Sequence, residues 1–188
     1  RRPPRSTLFP YTTLFRSYLA FGEYGYALSR FSGMWVGFKA ISEIVESGAS
    51  VELPAPRRFI QADFLPPPGG LHYRWPDLPG PQIEERLEAK KHAVYAFAKA
   101  NPIDRRIYGI KDARYGIVTT GKAHLDLMEA LRLVGLDEAA CRHFGIDIYK
   151  VGMVWPLALH DAMEFVKGKR EILVVEEKRG IIESQFKE

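Results

Sequence analysis

The hydrophobic pattern after residue 105 alternates between short β-branched runs and segments with helical spacing. The runs Tyr115–Thr120, Ile146–Val151 and 172–175 are typical of buried parallel strands. The first segment between these runs carries Leu125, Met128, Leu131 and Val134 at helical spacing, and Gly135 ends it. The second carries Leu159, Met163 and Val166, and Pro156 starts it. This alternation predicts an α/β fold over residues 106–188, with a doubly wound parallel sheet and right-handed crossovers.

The first part of the chain has a different pattern, which favours one or two packed helices over residues 18–53. Apolar residues recur there at helical spacing before a glycine that suits a helix end: Trp35, Phe38, Ile41, Val45 and Gly48. Residues 49–53 are a candidate short strand. Seven prolines and glycines between Pro54 and Gly70 then exclude regular structure, so we expect a domain boundary after residue 57.

One long helix is predicted inside the connector formed by residues 58–105. Gly80 and Pro81 open it, and two glutamates in its first turn suit the helix macrodipole. Asn101 and Pro102 end it, because the residue before a proline avoids helical geometry. Its predicted apolar face is made of Ile83, Leu87, Val94, Phe97 and Ala98. We expect the helix to cross the surface between two domains, and we interpret Trp75 as an interface plug rather than a ligand platform.

The excess of basic over acidic residues is confined to the N-terminus. The chain has 27 basic and 23 acidic residues, a net charge of +4 that would ordinarily suggest a nucleic-acid partner. The excess lies in residues 1–17, RRPPRSTLFPYTTLFRS, which carry four arginines and no acid, so the remainder is neutral. This leader repeats Thr-Leu-Phe without helical continuity and resembles translated sequencing-adapter DNA. We therefore predict a non-native leader outside the fold, with a phosphate-binding basic arm as the alternative.

The composition excludes several classes of protein. No run reaches the ~18 apolar residues of a membrane span, and the N-terminus lacks the apolar core of a secretory signal. We expect a cytoplasmic protein with neither membrane nor nucleic acid as a partner. The single cysteine, Cys141, excludes an internal disulfide and cannot supply the thiolates of an iron–sulfur cluster, so we expect it half-buried on a helix. The five histidines show no metal-ligand spacing.

The segment 116–123, GIVTTGKA, has the spacing of a phosphate-binding GxxxxGK loop. A P-loop needs a flexible backbone between its glycines and a Ser or Thr after the lysine for magnesium. Here the intervening residues favour a strand and position 123 is alanine, so we reject a nucleotide site. Gly121 and Lys122 at the helix entrance stay open to an anion or an acidic partner, the alternative being a plain turn with a solvated lysine.

A charged segment follows the last predicted strand, at the end of the strand where open α/β sheets form their sites. It consists of Glu176, Glu177, Lys178 and Arg179. A solvated turn with local ion pairs explains these residues equally well.

Five longer segments occur together in this chain: 28–40 LSRFSGMWVGFKA, 74–77 RWPD, 116–123 GIVTTGKA, 150–157 KVGMVWPL and 174–179 VVEEKR. From about Phe21 to Glu188 the sequence resembles the indolepyruvate ferredoxin oxidoreductase family. That family belongs to the thiamine diphosphate-dependent 2-oxoacid:ferredoxin oxidoreductases. Its members decarboxylate aryl 2-oxoacids with coenzyme A to acyl-CoA and pass electrons through iron–sulfur clusters to ferredoxin.

The resemblance implies that this chain is an internal fragment. Residues 18–57 would end a pyrimidine-binding domain, 58–105 would be a connector, and 106–188 would be a transketolase C-terminal-like domain truncated at its end. The family's Gly-Asp-Gly motif for diphosphate and magnesium is absent, as are the cluster cysteines. Thiamine diphosphate, Mg²⁺ and the iron–sulfur cluster would therefore belong to the full-length enzyme, with none bound by this fragment.

We therefore predict a fragment that is inactive alone and has no catalytic, cofactor-binding or metal-binding residue. Its partners would be the remaining domains of the enzyme, ferredoxin, coenzyme A and the aryl 2-oxoacid. A noncatalytic α/β interaction module that kept the fold is the alternative. The residues expected to form a site wall or an interface are Gly121, Lys122, Trp155, Glu177 and Lys178.

Overall fold

The computed structural model describes residues 11–40, 42–46, 48, 50, 52–53 and 55–188. Contacts divide the chain into two compact units, Arg1–Ala100 and Asn101–Glu188. The elements are α1 (Tyr11–Ser32), α2 (Ser42–Val45), a 3₁₀ turn (Trp75–Asp77), α3 (Gln82–Ala100), β1 (Arg105–Arg106), β2 (Tyr115–Thr120), α4 (Gly121–Leu133), α5 (Glu138–Phe144), β3 (Ile146–Val151), α6 (Leu159–Val166), β4 (Glu171–Val175) and α7 (Ile181–Lys187). No helix in the described part of the chain is both long and apolar enough to cross a membrane.

An aromatic cluster forms the centre of the first unit. The ring centroid of Phe97, on α3, lies 5.3 Å from that of Tyr24 and 5.5 Å from that of Phe31, both on α1. Phe59, from the connector, lies 5.9 Å from Phe97. Residues on both sides of position 57 therefore share one cluster, and the division of the chain there stays a prediction.

Helix α1 differs from the expectation at both of its ends. It begins at Tyr11, so the expected lack of helical continuity in the leader is wrong for residues 11–17, while residues 1–10 lie outside the described part. No proline occurs between residues 11 and 32, so nothing stops the helix from extending back into the leader. It ends where Gly33, at φ +72°, donates its N–H to the Ser29 carbonyl at 2.9 Å.

The residues that follow α1 correct the second predicted helix. Trp35 and Phe38 lie in irregular backbone rather than a helix, and the Trp35 side chain is 99% exposed. Ile41 lies outside the described residues, and Val45 ends the short α2. The candidate strand at 49–53 includes positions 49 and 51 outside the described part, and its described residues form no strand.

Helix α3 confirms the predicted element, although its buried face is rotated from the expected one. Leu87 is exposed, whereas Arg86 is buried and donates from Nε to Asp77 Oδ2 at 2.9 Å. This buried ion pair, which the apolar pattern could not indicate, occupies the position next to Leu87. The helix packs against α1 within the first unit, and its expected crossing between two domains stays a prediction. Trp75 is exposed, so its role as an interface plug stays a prediction.

The second unit contains a four-stranded sheet of order β1-β3-β2-β4. Strands β2 and β3 have the predicted bounds, and β4 begins one residue before the predicted strand, at Glu171. These three strands are parallel, as expected. The two-residue β1 pairs antiparallel with β3, so the sheet is mostly rather than wholly parallel. Two consecutive arginines carry no hydrophobic alternation, which is why the sequence gives no sign of β1.

Helices cover both faces of this sheet. Tyr149 of β3 stacks on Phe165 of α6 at 4.9 Å and shares a core with Ile182 of α7. Ile146, at a position of opposite parity on β3, packs against Cys141 of α5. The α/β fold class is therefore confirmed.

The predicted helix faces are partly wrong. Ala162 and Phe165 are the buried residues of α6, whereas Leu159 and Met163 are exposed. In α4, Leu131 is buried as expected, but Val134 lies beyond the helix end and is exposed. Both stripes of α6 are apolar, and the stripe with Phe165 is buried because its ring fits closely over Gly116 of β2.

Candidate functional site

The three parallel strands end at one edge of the sheet, which we call the exit edge. The register aligns Thr120 with Val151, and Thr119 with Val175. All five predicted site residues follow these strand ends: Gly121 and Lys122 after β2, Trp155 after β3, and Glu177 and Lys178 after β4. All five residues are exposed at this edge, as an interface or site wall requires.

Gly121 and Lys122 form the first turn of α4. The segment between Gly116 and Gly121 lies in β2, so the predicted strand is confirmed and no loop exists to wrap a phosphate. The Thr120 hydroxyl donates to the Val151 carbonyl at 3.0 Å instead of capping the helix. Lys122 Nζ donates to Asp126 Oδ2 at 2.6 Å, an exposed pair one helical turn apart. This geometry is that of a βα turn with a surface lysine.

The loop after β3 is held by a carboxylate, Asp104, that no sequence pattern indicates. Asp104 Oδ1 accepts the N–H groups of Gly152 at 2.7 Å and Met153 at 3.2 Å. Its Oδ2 accepts the Tyr149 hydroxyl at 2.7 Å. Burial raises the pKa of Asp104, while these three hydrogen bonds act in the opposite direction. Burial also raises the pKa of Tyr149, with the neighbouring Asp104 as the next cause. The carboxylate therefore fixes the backbone where the chain leaves β3.

The other side of the same loop is held by α7. Gln185 Oε1 accepts the Leu157 N–H at 2.8 Å, and its Nε2 donates to the Val154 carbonyl at 2.9 Å. Glu176, at the exit of β4, accepts the N–H groups of Ile182 at 2.9 Å and Glu183 at 3.1 Å. These bonds join the exits of β3 and β4. Between them Trp155, followed by a cis peptide bond to Pro156, is 64% exposed.

Neither Asp104 nor Gln185 has a local sequence signal. Asp104 lies 48 residues before Gly152, and Gln185 lies 28 residues after Leu157. Glu176 belongs to the charged segment singled out above, but its role as a helix cap depends on where α7 begins. The sequence could indicate the edge of the sheet but not which polar side chains hold it.

A buried polar group lies on the α4 side of the exit edge. Thr119 and His124 are buried, and Lys150 of β3 is aligned with Thr119 in the sheet. Burial, with the nearby Lys150 cation as the second cause, lowers the pKa of His124 to about 4. Within the described part of the chain, neither Thr119 Oγ1 nor His124 Nδ1 has a hydrogen-bond partner. The imidazole is therefore neutral at physiological pH. In the sequence, His124 is one of five histidines without metal-ligand spacing, and no local pattern predicts its burial.

The described residues do not fit an iron–sulfur cluster or a bound metal ion. Cys141 is fully buried in α5 rather than half-buried, because its side chain fills the core beneath that helix. Its Sγ lies 3.8 Å from the Leu136 carbonyl, and burial raises the pKa of the thiol. In the part of the chain that the structure describes, no three His, Cys, Asp or Glu side chains are grouped to hold a metal ion.

A family model described as the indolepyruvate oxidoreductase domain matches residues 105–188, from β1 to Glu188. The resemblance found in the sequence is confirmed over this range. No curated protein matches the chain, and no solved structure does.

Proposed function

We propose that this chain, whose residues 105–188 belong to the indolepyruvate oxidoreductase domain family, is part of an indolepyruvate ferredoxin oxidoreductase. The complete enzyme oxidatively decarboxylates aryl 2-oxoacids with coenzyme A to acyl-CoA and passes the electrons to ferredoxin. The family match over almost the whole second unit is the observation that carries this proposal. The motif segments before residue 105 extend the resemblance into the first unit.

The division of labour within the enzyme is also part of the proposal. Thiamine diphosphate, Mg²⁺ and the iron–sulfur clusters belong to other parts of the protein, since this chain lacks the Gly-Asp-Gly motif and has one cysteine. Residues 106–188 are then a transketolase C-terminal-like domain, 18–57 the end of a pyrimidine-binding domain, and 58–105 their connector. The proposed location of the enzyme is the cytoplasm.

The proposed role of the exit edge is to form a wall or a contact surface rather than to perform chemistry. The polar atoms of Asp104, Glu176 and Gln185 bond mainly to backbone groups, so these side chains fix the course of the loop. Trp155, held between them, offers a large exposed ring. Tryptophan is enriched at protein interfaces because it contributes much apolar area with few rotatable bonds. The remaining domains of the enzyme are its proposed partner.

A comparison of the complete enzyme with this chain tests the proposal. Both proteins are assayed for indolepyruvate-dependent reduction of a viologen dye, with coenzyme A present and thiamine diphosphate titrated into each. The complete enzyme should reduce the dye, and the 188-residue chain should not reduce it at any thiamine diphosphate concentration. A complete enzyme inert toward every aryl 2-oxoacid refutes the family-based activity. Dye reduction by the short chain refutes the division of labour.

A noncatalytic interaction module is the second candidate. One observation favours it: the polar side chains that hold the loop at the exit edge bond backbone groups and are not grouped around a common centre. The gene sequence beyond the codon for Glu188 separates the two candidates. A frame continuing into a Gly-Asp-Gly motif and cysteine clusters supports the enzyme, whereas a stop codon directly after Glu188 supports the module.

A further inference from the structure

A groove of about 390 Å³ lies at the edge of the sheet opposite to the exit edge. We call it the basic groove. It lies where the parallel strands begin, since Asp147 and Gly116 are the second residues of β3 and β2, and Lys169 precedes β4. Its charged lining residues are Arg106, Lys111, Lys167 and Lys169, with Asp112 and Glu164. The groove is therefore separate from every residue proposed above for the enzyme's site wall.

Lys169 is held in a fixed position in this groove. Gly116 provides the space for its stem, because a Cβ at that position would lie 2.8 Å from Lys169 Cδ and 2.9 Å from Phe165 Cε1. The Lys169 ammonium group lies 4.1 Å from the centroid of the Phe165 ring, a cation–π contact. The first glycine of the GxxxxGK spacing thus serves packing rather than phosphate wrapping. A lysine ordered in this way loses little conformational entropy when it binds an anion.

Lys169 forms no hydrogen bond or ion pair with a carboxylate among the described residues. Its ammonium group instead contacts the Phe165 ring. Burial lowers its pKa, and the nearby Arg106 cation lowers it further, whereas Asp147 has the opposite effect. The charged ammonium group is therefore incompletely compensated. An added anion would stabilise it and raise its pKa.

Arg106 supplies a second fixed cation. Its Nε and Nη2 donate to Asp147 Oδ2 at 2.9 and 2.6 Å, and Nη2 also donates to the Ile110 carbonyl at 3.1 Å. Asp147 is fully buried beneath the groove. The described residues provide no acceptor for Arg106 Nη1. This guanidinium group is thus oriented by the protein and keeps donor capacity for a ligand.

The remaining charges leave the groove positive. Lys167 pairs with Glu164, and Lys111 has no ion pair with any residue that the structure describes. The lining and Asp147 together carry four cations against three carboxylates. The second unit as a whole is balanced, with 14 basic and 14 acidic residues between positions 101 and 188. The positive charge is therefore a local feature of this groove.

We propose that the basic groove binds a diphosphate group. A diphosphate spreads its charge over several oxygens, which suits cations that approach one groove from three segments of the chain: β1, the loop before β2 and the loop before β4. Free pyrophosphate and the diphosphate of a nucleotide share this chemistry. This inference goes beyond the proposed function, and it holds or fails independently of it.

Calorimetry on the whole chain tests the proposal, in a low-salt buffer at pH 8 that contains no phosphate. The ligands are pyrophosphate, ADP and adenosine. Pyrophosphate and ADP should bind and adenosine should not. If pyrophosphate and ADP bind with equal affinity, the groove recognises the diphosphate alone. If ADP binds more tightly than pyrophosphate, the groove also recognises the nucleoside. Lys169→Gln and Lys111→Gln should each weaken pyrophosphate binding about tenfold, the typical effect of losing one charge-assisted hydrogen bond.

Lys187→Gln is the matched control, because Lys187 is an exposed lysine that pairs with Glu183 within α7 and does not line the groove. Its binding of pyrophosphate should equal that of the unmodified chain. Lys111→Gln keeps the test decisive if Lys169→Gln unfolds the protein, since Lys111 is exposed. The proposal is overturned if pyrophosphate does not bind, if adenosine binds as well as ADP, or if Lys187→Gln weakens binding as much as Lys111→Gln.

Discussion

The buried histidine at the exit edge should make the stability of this protein sensitive to mild acid. His124 lies in the first turn of α4 with only 5% of its surface exposed. In the folded protein its pKa is about 4, because burial and the Lys150 cation disfavour the imidazolium. In the unfolded chain the side chain regains its ordinary pKa of 6.5. The perturbation that isolates this residue is His124→Gln.

The sign and size of the effect follow from proton linkage. Between pH 6.5 and about 4, the unfolded chain binds a proton that the folded protein does not. The contribution of His124 to stability is therefore fully present above pH 6.5 and is lost as the pH falls toward 4. A difference of about 2.5 pKa units at about 1.36 kcal/mol each corresponds to about 3 kcal/mol. That is a large share of the ~5–15 kcal/mol by which ordinary domains are stable.

Urea unfolding followed by circular dichroism at pH 7, 6, 5 and 4 measures this effect. The unmodified chain should lose about 3 kcal/mol more than His124→Gln between pH 7 and pH 4. Other titrating groups are common to both proteins and cancel in the difference. His143→Gln is the control, because it removes an exposed imidazole from α5. Identical pH dependence of the unmodified chain and His124→Gln would show that the imidazole is not held neutral by burial.

Three further predictions concern the stability of the fold. Asp104→Ala should lower the free energy of unfolding by about 3 kcal/mol in urea titrations, because it removes the acceptor of three hydrogen bonds. Asp104→Asn keeps one carbonyl acceptor and should lose less, so equal losses would contradict the role of these hydrogen bonds in holding the loop after β3. Gly116→Ala should lower the free energy of unfolding by about 1–3 kcal/mol, because the added Cβ clashes with Phe165. Gly22→Ala is the control and should not lower it, because its Cβ meets no atom within 4 Å. A neutral Gly116→Ala would refute the close packing of Lys169 and Phe165. In hydrogen exchange, the amides of β2 and β3 should be the slowest, and those of residues 58–70 should exchange quickly because they form few backbone bonds. Fast exchange throughout β3 would show that the sheet is not the stable centre of this unit.

The strands were the most predictable part of the fold. Both β2 and β3 lie between layers of helices, and β-branched residues occupy 117–120 of β2 and 146, 148 and 151 of β3. The bounds of both strands follow from the flanking glycines and polar residues. The ends of α3 were predictable for a similar reason, because Pro102 excludes helix on purely local grounds. Local rules suffice where one residue decides the backbone.

The buried faces of the short helices could not be predicted in the same way. Helix α6 has eight residues, and both of its stripes are apolar, one with Leu159 and Met163, the other with Ala162 and Phe165. The second stripe is buried because Phe165 fits over Gly116 on β2, a residue 49 positions earlier. Because a glycine far away in the sequence determines the buried face, the hydrophobic pattern of the helix itself does not indicate that face.

The candidate site divides along the same line. The strand ends were predictable, and with them the location of Gly121, Trp155 and Glu177 at one edge of the sheet. The groups that hold this edge were not predictable, since Asp104 and Gln185 act on backbone atoms far away in the sequence. Hydrogen bonds to a loop depend on its final course, which exists only once the sheet has formed.

The two edges of the sheet differ in what their side chains leave available to a partner. At the exit edge, Asp104, Glu176 and Gln185 bind backbone groups and His124 is neutral, so the prominent feature is the exposed Trp155 ring. At the opposite edge, Lys169 is fixed but uncompensated. An apolar ring on a rigid loop suits contact with another protein surface, whereas an ordered, incompletely paired cation suits an anion. On the two proposals, the sheet separates a contact surface from an anion site. A substitution at one edge should then leave binding at the other edge intact, because the two edges share no side chain.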